Sequence, residues 1–282
     1  VVNQYVLGAD PSGDEYLAET DDEDIIEGFN TICPDSYEEF ISAAQFALRK
    51  CIKIIEQSAN RYYSLGEEEL NSLVAGLLAG QSFVTNNEEN VRGNVDISVK
   101  FGDFKWLIEA KLGKTNNYTF EGLLQILTRY ATSEKNFGLL IYYQKRQPLS
   151  LFKGWCDYID NNNWVEYAKA NDIYDQLIDL IPSESCLPLF TDEHDSNNMF
   201  SKRKLMTSHG SEIDVQFIGV NLYYNPLDTS GRKGIGQKIF HAKQELQESY
   251  LNYKDGKEVD MDILMHSIGV LLDESKEFKS LK

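Results

Sequence analysis

Two beats of apolar residues run along the chain, one of three to four residues and one of two. From Asp35, apolar positions recur at Phe40, Ala44, Phe46, Ala47, Cys51, Ile54 and Ile55, which predicts a helix to about residue 60. Ser36 is placed to cap it, with Glu39 three residues on as a capping-box partner. "LGEEELNSLVAGLLAG" predicts a second helix, with Leu70, Leu73, Val74, Leu77 and Leu78 as its stripe and Gly80 as its end. Then the beat shortens. "SFVTNN", "NVDISVKF" and "FKWLIEAKL" read as strands separated by Asn- and Gly-containing turns. Residues 118–133 are helical again, and "FGLLIYYQ", 137–144, reads as a buried strand. Helix, three strands, helix, strand predicts an α/β fold, a mixed central sheet flanked by helices.

Beyond residue 150 the pattern changes. Residues 151–200 are rich in Asp, Asn, Tyr and Trp and predict short helices, with Trp155 and Trp164 as core residues. "KLMTSHGSEIDVQFIGVNLYYNP" alternates about an "HGSE" turn and predicts a β-hairpin. Residues 237–277 are helical, and there is no internal repeat. The expected organisation is an acidic segment 1–34, a core over 35–150, and a helical and hairpin extension over 151–282 packing on that core.

Composition narrows the class. A chain of 282 residues, 42% apolar, can bury a sizeable core. No window approaches the roughly 18 to 20 continuous apolar residues of a membrane span, so no membrane association is expected. The opening "VVNQYVLGAD" has no basic leader and does not read as a secretory signal; lacking Met, it fits a trimmed chain or part of a longer one. Cys33, Cys51, Cys156 and Cys186 are far apart with no CxxC pair, which argues against a zinc site and for a reducing cytoplasm. The absence of HExxH, Walker A, GxGxxG and GxSxG patterns sets aside zinc-protease, P-loop, dinucleotide and serine-hydrolase chemistry.

Charge is uneven. The net charge is -18, but residues 1–48 hold twelve Asp and Glu and no Lys or Arg, leaving a nearly balanced body. That body carries basic clusters at Lys145–Arg146, Lys202–Arg203–Lys204 and Arg232–Lys233. The acidic head reads as a solvated arm, or as a cover for a basic groove.

The charges inside "VDISVKFGDFKWLIEAKL" carry the chemistry. In a strand, residues two apart share a face. Trp106, Ile108, Ala110 and Leu112 therefore point to an apolar layer, and Lys105, Leu107, Glu109 and Lys111 to the other side. On the preceding strand, Val95, Ile97 and Val99 form the core face, with Asp96 and Ser98 opposite. Paired as a hairpin, the strands bring Asp96 and Glu109 together at the ends away from the turn. Two carboxylates and the Ala110 carbonyl then offer oxygens to a hard divalent cation such as Mg2+, with Lys111 beside them. Each residue alone has a plain alternative, a surface acid or an exposed cross-strand pair. Their joint occurrence with the element order is harder to dismiss.

Asp96 and the "EAK" of Glu109, Ala110 and Lys111, with twelve residues between the acids, resemble the PD-(D/E)xK nuclease superfamily. The resemblance spans about residues 60–144 and implies a restriction-endonuclease-like core with helical and hairpin additions. Val95 stands where the name motif has Pro. The family often adds a glutamate from the helix before the first strand. Glu67 in "GEEEL" matches that placement, with Glu69 as the alternative. Members similar to RecB-type nucleases carry a Gln and a Tyr on the helix after the EAK strand, spaced Q-x-x-x-Y. Here Gln125 and Tyr130 are one residue further apart, so Arg129 shares the Gln125 face better.

The resemblance implies a metal-dependent nuclease, acting on DNA before RNA, with Mg2+ or Mn2+ held by Asp96, Glu109, Glu67 and the Ala110 carbonyl. Lys111 would position the attacking water and Gln125 would orient Lys111 or the phosphate. A cytoplasmic restriction or anti-phage defence effector is expected, with a protein partner or further domain controlling it and a homo-oligomer compatible with it. The alternative is a non-catalytic subunit binding nucleic acid or protein on the same fold. His209 and "SGRKGIGQ", 230–237, are secondary phosphate-contact candidates.

Overall fold

The computed structural model describes residues 34–90, 92–181, 199–226 and 235–274. Apart from Pro34, the acidic segment lies outside them, as do Cys33, Cys186, Arg232 and Lys233.

Helix α1 (Tyr37–Gln57) starts where the cap chemistry places it. The Ser36 hydroxyl accepts the Glu39 N–H at 3.2 Å, and the Glu39 carboxylate reaches back to the Asp35 N–H. A short α2 (Ala59–Tyr62) leads to α3 (Glu67–Ala79), after which the chain enters β1 (Val84–Asn90), β2 (Asn94–Phe101) and β3 (Phe104–Leu112). The bounds of β2 and β3 are those that alternation predicts. Next come α4 (Asn116–Gln125), a π-helical turn (Ile126–Tyr130) and β4 (Asn136–Tyr143). Helices α5 (Pro148–Asp160), α6 (Trp164–Ala170) and α7 (Tyr174–Leu177) precede the hairpin of β5 (Phe200–Met206) and β6 (Glu212–Asn221). Helices α8 (Ile235–Lys254) and α9 (Met261–Glu274) follow.

The strands form one six-stranded mixed sheet in the order β1-β2-β3-β4-β6-β5. β1, β2 and β3 are antiparallel; β3, β4 and β6 are mutually parallel; β5 returns antiparallel on β6. Parallel β3 and β4 need a crossover, which α4 supplies. The expected boundary at residue 150 is not an edge of this sheet. The hairpin does not simply pack on the core; β6 pairs with β4 from Asn136–Asp214 to Tyr143–Asn221 and carries the sheet onward.

Each face of the sheet has its own core. On one, α1 and α3 cover Ile97, Val99, Trp106, Ile108, Ala110, Leu140 and Tyr142. On the other, α4, the π turn, α5 and α6 cover Val95, Leu107, Phe137, Leu139, Ile141 and Phe217, and Trp155 and Trp164 are buried here as expected. One expectation is corrected. Val95 packs in this second core rather than with Ile97 and Val99, so the alternation of β2 breaks at Asp96. On the face carrying Glu109 and Lys111, α4 lies over them, and Glu109 is 2% and Lys111 8% exposed. No described helix is long and apolar enough to cross a membrane.

Candidate functional site

The site forms where β2 leaves β3. Their ladder runs from Phe101–Phe104 to Ile97–Ile108 and stops. Beyond it, the β3 backbone groups that would have met β2 take side-chain partners instead. The Asp96 carboxylate accepts the Ala110 N–H at 2.8 Å, and the Glu67 carboxylate accepts the Leu112 N–H at 2.7 Å. Within a strand the N–H and C=O of one residue point to the same neighbour, so the Ala110 carbonyl opens into this gap as well.

Glu67 arrives from the opposite side of the sheet to α4. Leu70 and Val74 of α3 pack in the first core, and Glu67 sits at the helix start, at the edge of that stripe. Glu69, the alternative, is used otherwise: its carboxylate accepts the Gly66 N–H and caps α3. Helix α4 closes the site from the second core. The Thr115 hydroxyl caps it by accepting the Tyr118 N–H, and the Tyr118 hydroxyl bonds the Glu67 carboxylate at 3.2 Å. One turn on, Gly122 lies directly over Lys111. A Cβ at Gly122 would stand 2.9 Å from Lys111 Cγ and 3.2 Å from both Lys111 Cε and Leu139 Cδ1, so glycine permits the close approach of helix and lysine.

The three acids converge on one ammonium. Lys111 Nζ lies 2.5 Å from Glu109 Oε1, 3.6 Å from Glu67 Oε1 and 3.9 Å from Asp96 Oδ2. Burial pushes the Glu109 carboxyl up to about 8, and the charge of Asp96 adds to it, with Lys111 opposing. Burial also raises Asp96, against the Ala110 N–H and Lys111. Burial would discharge Lys111, but the three carboxylates outweigh it and hold its pKa above the ordinary lysine value. Near neutral pH the pocket therefore holds the Lys111 ammonium beside a Glu109 carboxyl that burial biases toward its protonated form.

The donor set suits a hard divalent ion. Glu109 Oε2 is buried with no hydrogen-bond partner, an orphan that a protein interior avoids unless a ligand or proton serves it. Three carboxylates and a backbone carbonyl are the oxygens such ions take. No group of three or more Asp, Glu, His or Cys is gathered as a ready ion cage among the described residues; the acids share the Lys111 ammonium instead.

Gln125 lies on α4 one turn beyond Gly122, and its amide oxygen is buried and unpartnered. No bond joins it to Glu109 or Lys111 among the contacts described. The residues after it form the π-helical turn, Ile126–Tyr130. A π turn absorbs one extra residue, since its bonds span five positions rather than four. The longer Gln125–Tyr130 interval is taken up there, and Tyr130 rather than Arg129 turns inward. Tyr130 is buried and its hydroxyl donates to the Asn94 carbonyl at 2.8 Å, at the start of β2; Arg129 is exposed. Burial, then the charges of Glu109 and Asp96, push the Tyr130 phenol up to about 12, which places it beside the acids. Sequence reasoning favoured Arg129 because it counted at an α-helical period.

Four of the five basic-cluster side chains among the described residues have acidic partners. Arg203 is buried and forks onto Asp160 at 2.7 and 2.8 Å, while Lys202 pairs with Asp214 and Lys204 with Glu212. Lys145 pairs with Glu248. His209 sits exposed in the β5–β6 turn with its ring 3.0 Å from Arg92. Residues 230–234 of the Gly-flanked basic loop lie outside the described residues. Compared with protein-family models, curated proteins and solved structures, the chain finds no match.

Proposed function

We propose that the chain is a metal-dependent nuclease of the PD-(D/E)xK kind, hydrolysing phosphodiester bonds, DNA before RNA. One observation carries this reading. Glu67, Asp96, Glu109 and Lys111 come from three separate elements and meet at the fork where β2 leaves β3. A sheet with antiparallel β1–β2–β3 and a helical crossover to parallel β4 supports a restriction-endonuclease-like core.

Asp96 and Glu109 would hold a Mg2+ or Mn2+ ion, with Glu67 and the Ala110 carbonyl assisting. When bound, the ion lowers the pKa of a water and neutralises charge on the phosphate. Glu109 would meet such an ion as the carboxylate. The Lys111 ammonium would face the attacking water and the phosphate oxygens and stabilise the charge that builds there. The unpartnered Gln125 amide oxygen is available to orient that ammonium or the water. Tyr130 anchors the start of β2, and with it Asp96, through the Asn94 carbonyl. Bound cations reverse the local field, so a net charge of -18 does not oppose a nucleic-acid substrate.

Supercoiled plasmid incubated with Mg2+ or Mn2+ tests this. Wild type nicks or linearises it, and Lys111→Ala and Glu109→Ala are slower by about 10²-fold or more. Equal cutting by wild type and either variant overturns the mechanism. One observation favours the second reading, a non-catalytic binding subunit: Lys111 pairs with Glu109 Oε1 at 2.5 Å, so the ammonium and the acid neutralise each other. Tight DNA binding indifferent to metal, with no cleavage, is its mark.

A further inference from the structure

Helices α8 and α9 form an antiparallel hairpin that packs chiefly on itself. Among the described residues its contacts to the body include the Phe240 and His241 rings on Tyr63, His241 against Tyr223 and the Tyr224 carbonyl, the Lys145–Glu248 ion pair, and the Gln237 amide on the Tyr224 carbonyl. Within the hairpin, Ser267 bonds Glu245 and Ala242, Ser249 and Leu271 are buried.

One side of this hairpin is apolar and uncovered by any described residue. Leu246, Tyr250 and Tyr253 follow each other on α8 at steps of four and three. Met261, Met265, Ile268 and Leu272 do so on α9 at steps of four, three and four. That is the 3.5-residue period of a helix seam that packs against other helices. Tyr250 is 64%, Tyr253 75%, Met261 58% and Met265 57% exposed, and a cleft of about 570 Å³ at the turn end is lined by Leu246, Tyr250, Tyr253, Met261 and Leu264.

We propose that a second copy of this chain covers the face, forming a four-helix bundle with two-fold symmetry. Charge complementarity selects that occupant. Lys254 lies beside the α8 stripe and Asp262 beside the α9 stripe, both at the turn end of the hairpin. A two-fold axis along the bundle lays α8 on the partner's α9 and brings Lys254 of one copy to Asp262 of the other, once on each edge. The alternative axis, α8 on α8, runs the two helices antiparallel and sets Lys254 against the basic Lys243 end of the other copy. Size agrees too. Exposed side chains of this kind contribute roughly 500–600 Å² a side, so two copies bury about 1,000–1,200 Å² before a polar rim is added, the threshold of a stable interface. None of the residues of this face belongs to the carboxylate site, so the inference is independent of the nuclease reading.

Sedimentation velocity on the full chain at about 50 µM tests it. Wild type is expected at twice 32.2 kDa. Tyr253→Glu with Met265→Glu, both exposed positions, is expected to be monomeric with an unchanged melting curve. Lys254→Glu weakens the dimer about tenfold, and adding Asp262→Lys restores it. A monomeric wild type overturns the proposal and leaves the face to another partner. A dimer that survives the double glutamate variant, or a charge swap that does not restore association, overturns it as well.

Discussion

Replacing Glu109 by Gln is expected to stabilise the protein at alkaline pH while removing the proposed nuclease chemistry. The carboxyl is buried, and its pKa rises from the model-compound value of 4.5 to about 8. The unfolded chain ionises it near 4.5, the folded chain near 8. Between those values the unfolded state binds fewer protons, so stability falls as pH rises. The contribution is whole below about pH 4.5 and lost by about pH 8. At about 1.4 kcal/mol per unit, the ceiling is about 4–5 kcal/mol above pH 8. The raised pKa of Asp96 acts in the same direction. Gln carries no such cost, but it gives up the ion pair with Lys111, whose Nζ keeps Glu67 and Asp96 as weaker neighbours at 3.6 and 3.9 Å. A net gain of about 1–3 kcal/mol at pH 8 remains. Urea unfolding from pH 5 to 9, without divalent ions, measures it. Wild-type stability should decline across the window and the Glu109→Gln curve should be flatter and higher at pH 8. A wild-type curve that is flat or rises with pH, or a variant less stable at pH 8, refutes the reasoning.

The same proton predicts that Mn2+ affinity, followed by titration calorimetry, rises as pH climbs toward 8 with proton release on binding, and that Asp96→Asn loses it. Gly122→Ala forces its new Cβ onto Lys111; cleavage should fall at least tenfold while unfolding experiments show a loss of only about 1–3 kcal/mol. Deleting Thr128, exposed in the π turn, restores the shorter Gln–Tyr interval and should keep Tyr130 inward, so thermal unfolding shifts little; a collapse in stability would show that the turn does not absorb an extra residue. Arg203→Met leaves Asp160 without its fork and should cost about 2–4 kcal/mol in urea unfolding.

Local periodicity made β2, β3 and the Asp96–Glu109–Lys111 grouping legible, because a two-residue alternation assigns faces without knowledge of the rest of the chain. Glu67 was reached through the family resemblance, which places a glutamate on the helix before the first strand. What escaped depends on distant contacts. Alternation places Glu109 and Lys111 on the far face but cannot say that Gly122 and α4 will cover it. Pairing of β6 with β4 joins segments some 75 residues apart, and nothing in either strand announces its neighbour. Lys202, Arg203 and Lys204 look like a cationic patch in one dimension; Asp160, Asp214 and Glu212 neutralise them in three. The shift of Val95 to the other core and the inward turn of Tyr130 both come from local departures, a ladder that ends at Ile97 and a π turn, which a fixed period cannot register.

If the proposed nuclease holds its ion here, the three carboxylates exchange the Lys111 ammonium for it. A crystal soaked in Mn2+ at pH 8, with anomalous diffraction to locate the ion, tests this most directly. The account predicts one manganese peak bound by Asp96 and Glu109, with the Lys111 ammonium withdrawn from its 2.5 Å contact with Glu109. A site without manganese at millimolar concentrations, and Lys111 still seated on Glu109, would contradict it.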